Sequence, residues 1–181
     1  MTGYTNFMGV EKVFYGSAIQ GAKDRGERAH INRTLIQLIK SHGYEVVSEH
    51  TAGVDKEETA KLLEKSIGPL PSVGKERTIY VRNKMIEAIE GVIIAAVFEV
   101  STPSIGTGVE ITHAYLRPRK SLPEIPILSL YQKDYWPNNL SSMISGIAPE
   151  EIPNFQLVEY KDLEEAIESL SQFLKSIKSE L

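Results

Sequence analysis

The apolar positions along the chain follow two periods. Short runs rich in β-branched and aromatic residues alternate with longer stretches in which apolar residues recur every three or four positions. The short runs predict five strands, at 12–15, 44–48, 91–100, 127–131 and 155–159. The longer stretches predict helices over 28–41, 56–65, 76–89, 109–116, 138–146 and 161–178.

The order of these elements predicts the fold class. Alternating strands and helices with right-handed crossovers form an open, mostly parallel sheet that is covered by helices on both faces. The run 91–100 (GVIIAAVFEV) is apolar almost throughout, as a central parallel strand should be. Because no repeat or linker interrupts the chain, we expect an α/β fold with five strands and one domain over 1–181.

Composition and charge exclude several classes of function. The chain has 181 residues, of which 41% are apolar and 24% charged, and a net charge of −4, which argues against a general nucleic-acid binder. No apolar run is long enough to span a bilayer, and the first residues lack the pattern of a signal peptide, so we expect a cytoplasmic protein without a membrane partner. The absence of cysteine excludes thiolate chemistry, and the four histidines lack metal-ligand spacing. We therefore expect neither a metal nor another cofactor.

Two loops have the composition of a ligand site. In such sheets, ligands bind beyond the carboxyl ends of the strands, where the strand order reverses. Segments 16–21 (GSAIQG) and 101–108 (STPSIGTG) fall there and are rich in small residues. A loop that leads into a helix N-terminus favours phosphate or carboxylate. Neither segment is a Walker motif or a full dinucleotide fingerprint, and plain βα turns remain the alternative.

Glu110 is the candidate nucleophile. It lies two residues past Gly108, and we expect it in the first turn of the helix, where the helix dipole keeps a carboxylate ionised. If the bound anion is the 5′-phosphate of a nucleotide, this carboxylate lies near the anomeric carbon and can attack it, as in retaining glycosidases. The alternative is a favourable helix N-terminal charge and nothing more.

Four blocks of the sequence, taken in order, resemble a known family. GSAIQG, VVSEHTA, FEVSTPSIGTGVE and LSSMISG are similar to the 2′-deoxynucleoside 5′-phosphate N-hydrolases, relatives of the nucleoside 2-deoxyribosyltransferases. The string E-V-x-x-P-S-x-G-x-G-x-E is the most specific of them. The resemblance implies a Rossmann-like doubly wound fold, a homodimer, and hydrolysis of the N-glycosidic bond of nucleoside 5′-monophosphates to free base and sugar phosphate.

The resemblance also implies roles for individual residues. Glu110 matches the nucleophile, and Ser141 matches a serine that reaches the phosphate from the neighbouring subunit. The remaining matches to substrate-binding positions are Gly16, Ser17, Ser104, Gly106 and the pair Glu49 and His50. Tyr15, or Phe14, falls where the family has an aromatic hydroxyl near the sugar, and Gln20 replaces a loop arginine.

One departure affects catalysis. The string Ile79-Tyr80-Val81-Arg82-Asn83 stands where the family has an aspartate in the last position. An asparagine can form hydrogen bonds to a base or a sugar but cannot transfer a proton. Asn83 therefore predicts a slower enzyme, another proton donor such as Glu49 or His50, or a protein that binds nucleotide without cleaving it.

Further alternatives stay open at this point. A deoxyribosyltransferase, which passes the sugar to a second base, needs no phosphate site, so Ser17, Ser104 and Ser141 argue against it. The segment 55–78 is longer than the corresponding family loop and is either a cover over the base pocket or a surface elaboration.

Overall fold

The computed structural model describes residues 10–18 and 21–180, so Gln20 lies outside the described residues. The strands are β1 (Lys12–Ser17), β2 (Glu45–Val47), β3 (Ala95–Glu99), β4 (Ile127–Gln132) and β5 (Phe155–Tyr160). The helices are α1 (Arg25–Ser41), α2 (Lys56–Ile67), α3 (Lys75–Glu90), α4 (Ile105–Tyr115), α5 (Ser142–Ser145) and α6 (Leu163–Glu180). Two 3₁₀ turns span Glu49–Ala52 and Arg117–Lys120. Within the described ranges, no helix is both long and apolar enough to cross a membrane.

The five strands form one parallel sheet in the order β2-β1-β3-β4-β5, which confirms the predicted α/β fold class. The chain moves from β1 to β2 on one side, and β3 then pairs with β1 on the other side. This reversal of strand order opens a crevice at the carboxyl ends of β1 and β3. The register pairs Gly16 with Phe98 and Ser17 with Glu99, so both strands end at the same level.

Successive strand residues point to opposite sides of the sheet, and both sides carry apolar side chains. Helices therefore pack on both faces. Tyr15 and Val97 belong to the apolar cluster that includes residues of α1 and α6. Phe14 and Phe98 belong to the cluster that includes Ile111 of α4. Every residue of β3 is buried, as the apolar run predicts for a central strand.

Several boundaries differ from the predictions, and those of β3 and α4 concern the elements that flank the crevice. β3 begins at Ala95 rather than at Gly91, because the N–H of Ile93 donates to the carbonyl of Gly91 in a turn that leaves Val92 91% exposed. α4 begins at Ile105, four residues before the predicted start. Ser104 caps it there: its Oγ accepts a hydrogen bond from the N–H of Thr107 at 3.2 Å.

The long segment 55–78 is mostly helical and is attached to its neighbours. Arg33 of α1 forms an ion pair with Glu58 of α2 at 2.6 Å, and Arg25 donates a hydrogen bond to the Thr59 hydroxyl at 2.8 Å. Gly53 follows the 3₁₀ turn Glu49–Ala52. A Cβ atom added at Gly53 would be 2.6 Å from the backbone nitrogen of Thr59, so the turn and α2 are in close contact. α2 is therefore docked on α1 and on the 3₁₀ turn.

Candidate active site

The carboxylate of Glu110 lies against the carboxyl end of β1. A Cβ atom added at Gly16 would be 2.9 Å from Glu110 Oε2 and 2.7 Å from the Phe98 ring. Both distances are shorter than real side chains tolerate, so the glycine allows the carboxylate and the ring to reach the strand. Glu110 is thereby positioned at the crevice where the strand order reverses.

The charge state of Glu110 differs from the prediction. The residue lies in the second turn of α4, because the helix begins at Ile105, and the helix dipole acts mainly within the first turn. Burial dominates instead and raises the pKa of Glu110 to about 7. Among the described residues, no side chain forms an ion pair or a hydrogen bond with this carboxylate. Glu110 is a half-buried, unpartnered acid.

Three predicted phosphate-binding residues lie at the end of β1 and at the start of α4. Ser17 ends β1 and is 6% exposed. Ser104 caps α4, and Gly106 lies in the first turn of that helix, where it is exposed. The first N–H groups of a helix have no partner within it, which makes this turn a donor site for an anion.

Ser141 lines the same cavity as Ser104 in a single chain. This cavity has a volume of about 540 Å³ and lies between α4 and α5. Ser141 is exposed and caps α5, where its Oγ accepts a hydrogen bond from the N–H of Met143 at 3.3 Å. Its role across a subunit interface stays a prediction.

The structure does not bring Tyr15 to Glu110. Tyr15 is fully buried and lies on the face of the sheet that α1 covers, opposite to α4. Its hydroxyl donates a hydrogen bond to Asn32 Oδ1 at 2.8 Å, and the Asn32 amide donates to the carbonyl of Thr51. The geometry gives Tyr15 a structural role in holding α1 to the 3₁₀ turn.

Glu49 and His50 lie in the 3₁₀ turn Glu49–Ala52, which follows β2. Glu49 forms an ion pair with Lys40 at 2.7 Å. His50 is buried, and burial lowers its pKa to about 4, so the ring is neutral at physiological pH. Its Nδ1 lies 3.2 Å from the Ser48 hydroxyl. His50 therefore does not present a readily donated proton.

Asn83 lies on the exposed side of α3. Its Oδ1 accepts a hydrogen bond from Arg82 at 3.2 Å, and it lines a shallow surface depression with Ile79 and Tyr80. Its amide oxygen is thus bonded to Arg82 and not to Glu110.

A buried polar cluster beside the crevice was not predicted. Glu99, Arg28 and Tyr160 meet where β3, α1 and β5 converge, and each is buried. Burial raises the pKa of Glu99, while Arg28 and the hydrogen bonds from Ser101 and Tyr160 oppose this rise. A signal was available: Glu99 is the one charged residue in the run 91–100.

Comparisons with known proteins identify the family. The chain is 32% identical over 163 residues to a protein of Thermofilum pendens, covering 90% of this chain and 94% of the relative. It is 27% identical over 169 residues to a protein of Methanosarcina mazei, covering 93% and 87%. Both carry the name "Putative 2′-deoxynucleoside 5′-phosphate N-hydrolase 1". No family model matches the chain. On the strength of these relatives, the chain belongs to the 2′-deoxynucleoside 5′-phosphate N-hydrolase family.

Proposed function

We propose that this protein hydrolyses the N-glycosidic bond of nucleoside or 2′-deoxynucleoside 5′-monophosphates, with Glu110 as the nucleophile. The observation that carries the proposal is the unpartnered Glu110 carboxylate at the carboxyl end of β1, beside the small-residue loops after β1 and β3. The names of the two relatives support the same class of substrate.

The proposed reaction has two steps. An oxygen of Glu110 forms a bond to C1′ while the bond from C1′ to the base nitrogen breaks, and the electron pair leaves with the base, which takes a proton from water. Water then attacks the glycosyl ester, which releases the sugar 5-phosphate and regenerates the carboxylate. The amides at the start of α4, with Ser104 and Ser17, hold the phosphate during both steps.

We expect departure of the base to be the rate-limiting step of this reaction. Asn83 has no proton to give, Glu49 is paired with Lys40, and neutral His50 is protonated only in acid. General acid assistance is typically worth about 10²–10⁴-fold. We therefore infer a slow enzyme whose leaving group is protonated by solvent.

Base release tests the proposal. A panel of ribonucleoside and 2′-deoxynucleoside 5′-monophosphates is incubated with the wild type and with Glu110→Ala, and the free base is measured. Release by the wild type alone supports the proposal. Equal release by both proteins, or none by the wild type from any nucleotide, refutes it.

Two other functions are separated by further assays. A deoxyribosyltransferase produces an exchanged nucleoside when a second free base is supplied. A nucleotide-binding protein without turnover, which Asn83 favours, binds a nucleotide tightly in calorimetry and yields no product after long incubation. In that case, cleavage by Asn83→Asp identifies the missing carboxylate as the cause.

We also infer a homodimer in which Ser141 acts across the interface. Exposed apolar side chains support this inference: Ile105 of α4 is 91% exposed and Met143 of α5 is 81% exposed, and both line the cavity that contains Ser104 and Ser141. Sedimentation tests it, because Ile105→Glu places a charge in the interface and is expected to yield monomers. A monomeric wild type contradicts the inference.

A further inference from the structure

The carboxylate of Glu99 is fully enclosed at the end of β3, and its two oxygens differ in their contacts. Oε1 accepts hydrogen bonds from the Tyr160 hydroxyl at 2.9 Å, from Arg28 at 3.4 Å and from the Ser101 N–H at 3.3 Å, and also from the Ser101 hydroxyl. Oε2 is buried and has no hydrogen-bond partner in the part of the chain that the structure describes. All the donors therefore converge on one acceptor atom.

A buried ion pair is weak evidence for a contribution to stability. Removing two charges from water is costly, and well-packed apolar side chains of similar volume are often at least as stabilising as a buried ion pair. Glu99 and Arg28 are 1% and 3% exposed, so burial disfavours the charged form of each. A role in arranging neighbouring groups is the alternative explanation.

The group that the cluster arranges is the loop before α4. The Ser101 hydroxyl donates to Glu99 and accepts a hydrogen bond from the N–H of Gln132, at the end of β4, at 2.7 Å. Ser101 is 1% exposed and lies three residues before Ser104, the cap of α4. The start of the loop 101–104 is thus held from two strands at once.

We propose that Glu99 is a positioning residue that fixes the loop 101–104, through Ser101, in the geometry that binds the 5′-phosphate of the substrate. The inference rests on the proposed function for the identity of this ligand. Glu99 does not touch the substrate, so its effect is expected on phosphate recognition and not on bond cleavage.

Ser101→Ala tests the inference, with Tyr160→Phe as the matched control. Both changes remove one hydroxyl donor to Glu99 Oε1, but only Ser101 lies in the loop. Two quantities are measured: KM for the nucleoside 5′-monophosphate that the wild type cleaves fastest, and kcat/KM for the same nucleoside without phosphate. Small misplacements of binding groups cost up to about 100-fold. We expect Ser101→Ala to raise KM for the nucleotide at least about tenfold and to leave kcat/KM for the nucleoside within about twofold of the wild type. We expect Tyr160→Phe to change neither quantity by more than about twofold.

The two oxygens of Glu99 supply a second test. Because only Oε1 is used, Glu99→Gln can keep the same acceptor with its amide oxygen and place its NH₂ where Oε2 has no partner. Glu99→Leu removes the acceptor. We expect KM of Glu99→Gln to lie within about threefold of the wild type, and KM of Glu99→Leu to rise like that of Ser101→Ala. Thermal unfolding shows which of the variants are folded. If Glu99→Leu is not folded, the comparison of Ser101→Ala with Tyr160→Phe still tests the positioning role.

Binding of 2-deoxyribose 5-phosphate, measured by calorimetry, separates the two proposals because it does not require turnover. Weaker binding by Ser101→Ala than by Tyr160→Phe, with no base released by the wild type, supports the positioning role and refutes the proposed hydrolysis. Equal effects of the two variants in a protein that does cleave nucleotides refute the positioning role alone. Failure of every form, the wild type included, to bind the sugar phosphate also overturns it.

Discussion

At the scale of single residues, the proposed site depends on one half-buried acid, Glu110, to which no side chain of the described residues forms a hydrogen bond or an ion pair. Glu110 reaches the end of β1 because Gly16 has no side chain, and the same enclosure raises its pKa to about 7. A carboxylate without hydrogen bonds is a stronger nucleophile than one that is solvated or paired, so the enclosure that costs stability favours the chemistry.

The pH dependence of the reaction follows from this pKa. Only ionised Glu110 can attack C1′, so kcat/KM is expected to rise with pH and to level off above about pH 7. Initial rates of base release, measured between about pH 5 and about pH 9, check this expectation. A rate that is independent of pH over that range contradicts it.

Stability should show the opposite trend. The pKa of Glu110 is higher in the folded protein, at about 7, than the ordinary value of 4.5, so the folded state binds the proton more tightly. The resulting stabilisation is complete below about pH 4.5 and disappears as the pH rises to about 7. Glu110→Gln does not ionise, so its melting temperature should exceed that of the wild type more at about pH 8 than at about pH 5. Because both proteins contain His50, its titration cancels in this difference. A difference that does not change with pH argues against a buried acid.

Gly16→Ala tests the close approach. The new methyl group would meet both Glu110 and the Phe98 ring, which must move. We expect a loss of activity of about 100-fold, because the carboxylate is displaced, and a loss of about 1–3 kcal/mol in the free energy of unfolding. Gly26→Ala in α1 is the control, since the added Cβ there would have only an ordinary contact, 3.4 Å from Asp24 Oδ1. Unchanged activity of Gly16→Ala would show that Glu110 is not held against β1 during catalysis.

At the scale of elements, the periodicity predicts the number, type and order of strands and helices, and errors concentrate at their ends. The apolar run 91–100 predicts too long a strand, because its first residues form a turn after α3. The start of α4 is predicted late because the small residues after Ser104 have weak helix propensity, whereas the Ser104 cap begins the helix at Ile105. This difference moves Glu110 from the first turn to the second and changes the physical basis of its pKa.

Ser104 caps α4 and is proposed to bind the phosphate as well, and a pair of variants separates the two roles. Ser104→Ala removes the cap of α4 and is expected to lower the free energy of unfolding by about 1 kcal/mol and also to raise KM for the nucleotide. Asp55→Ala removes the equivalent cap of α2, where Asp55 Oδ1 accepts from the N–H of Glu58 at 2.8 Å. It should lower stability by a similar amount with KM unchanged. Chemical denaturation and steady-state kinetics give both quantities, and an equal rise of KM in both variants would exclude a specific role of Ser104 in phosphate binding.

At the scale of the whole molecule, the parallel sheet and the location of the crevice follow from the alternation of strands and helices. The contacts that complete the site do not follow from it. Arg28 and Glu99 are 71 positions apart and Arg28 and Tyr160 are 132 apart, and no local pattern pairs them. Likewise, periodicity cannot show that Tyr15 bonds to Asn32 on the face away from Glu110. Sequence patterns therefore locate the crevice, whereas the partners of each polar group follow only from the folded chain.

The central claim is that an oxygen of Glu110 becomes bonded to C1′ during turnover. Intact-protein and peptide mass spectrometry of a reaction quenched in acid tests it directly. We expect a mass increase equal to that of the sugar phosphate less one water molecule, located on the peptide that contains Glu110 and absent from Glu110→Gln. Turnover without any such adduct in the wild type, together with base release by Glu110→Gln at the wild-type rate, would contradict it.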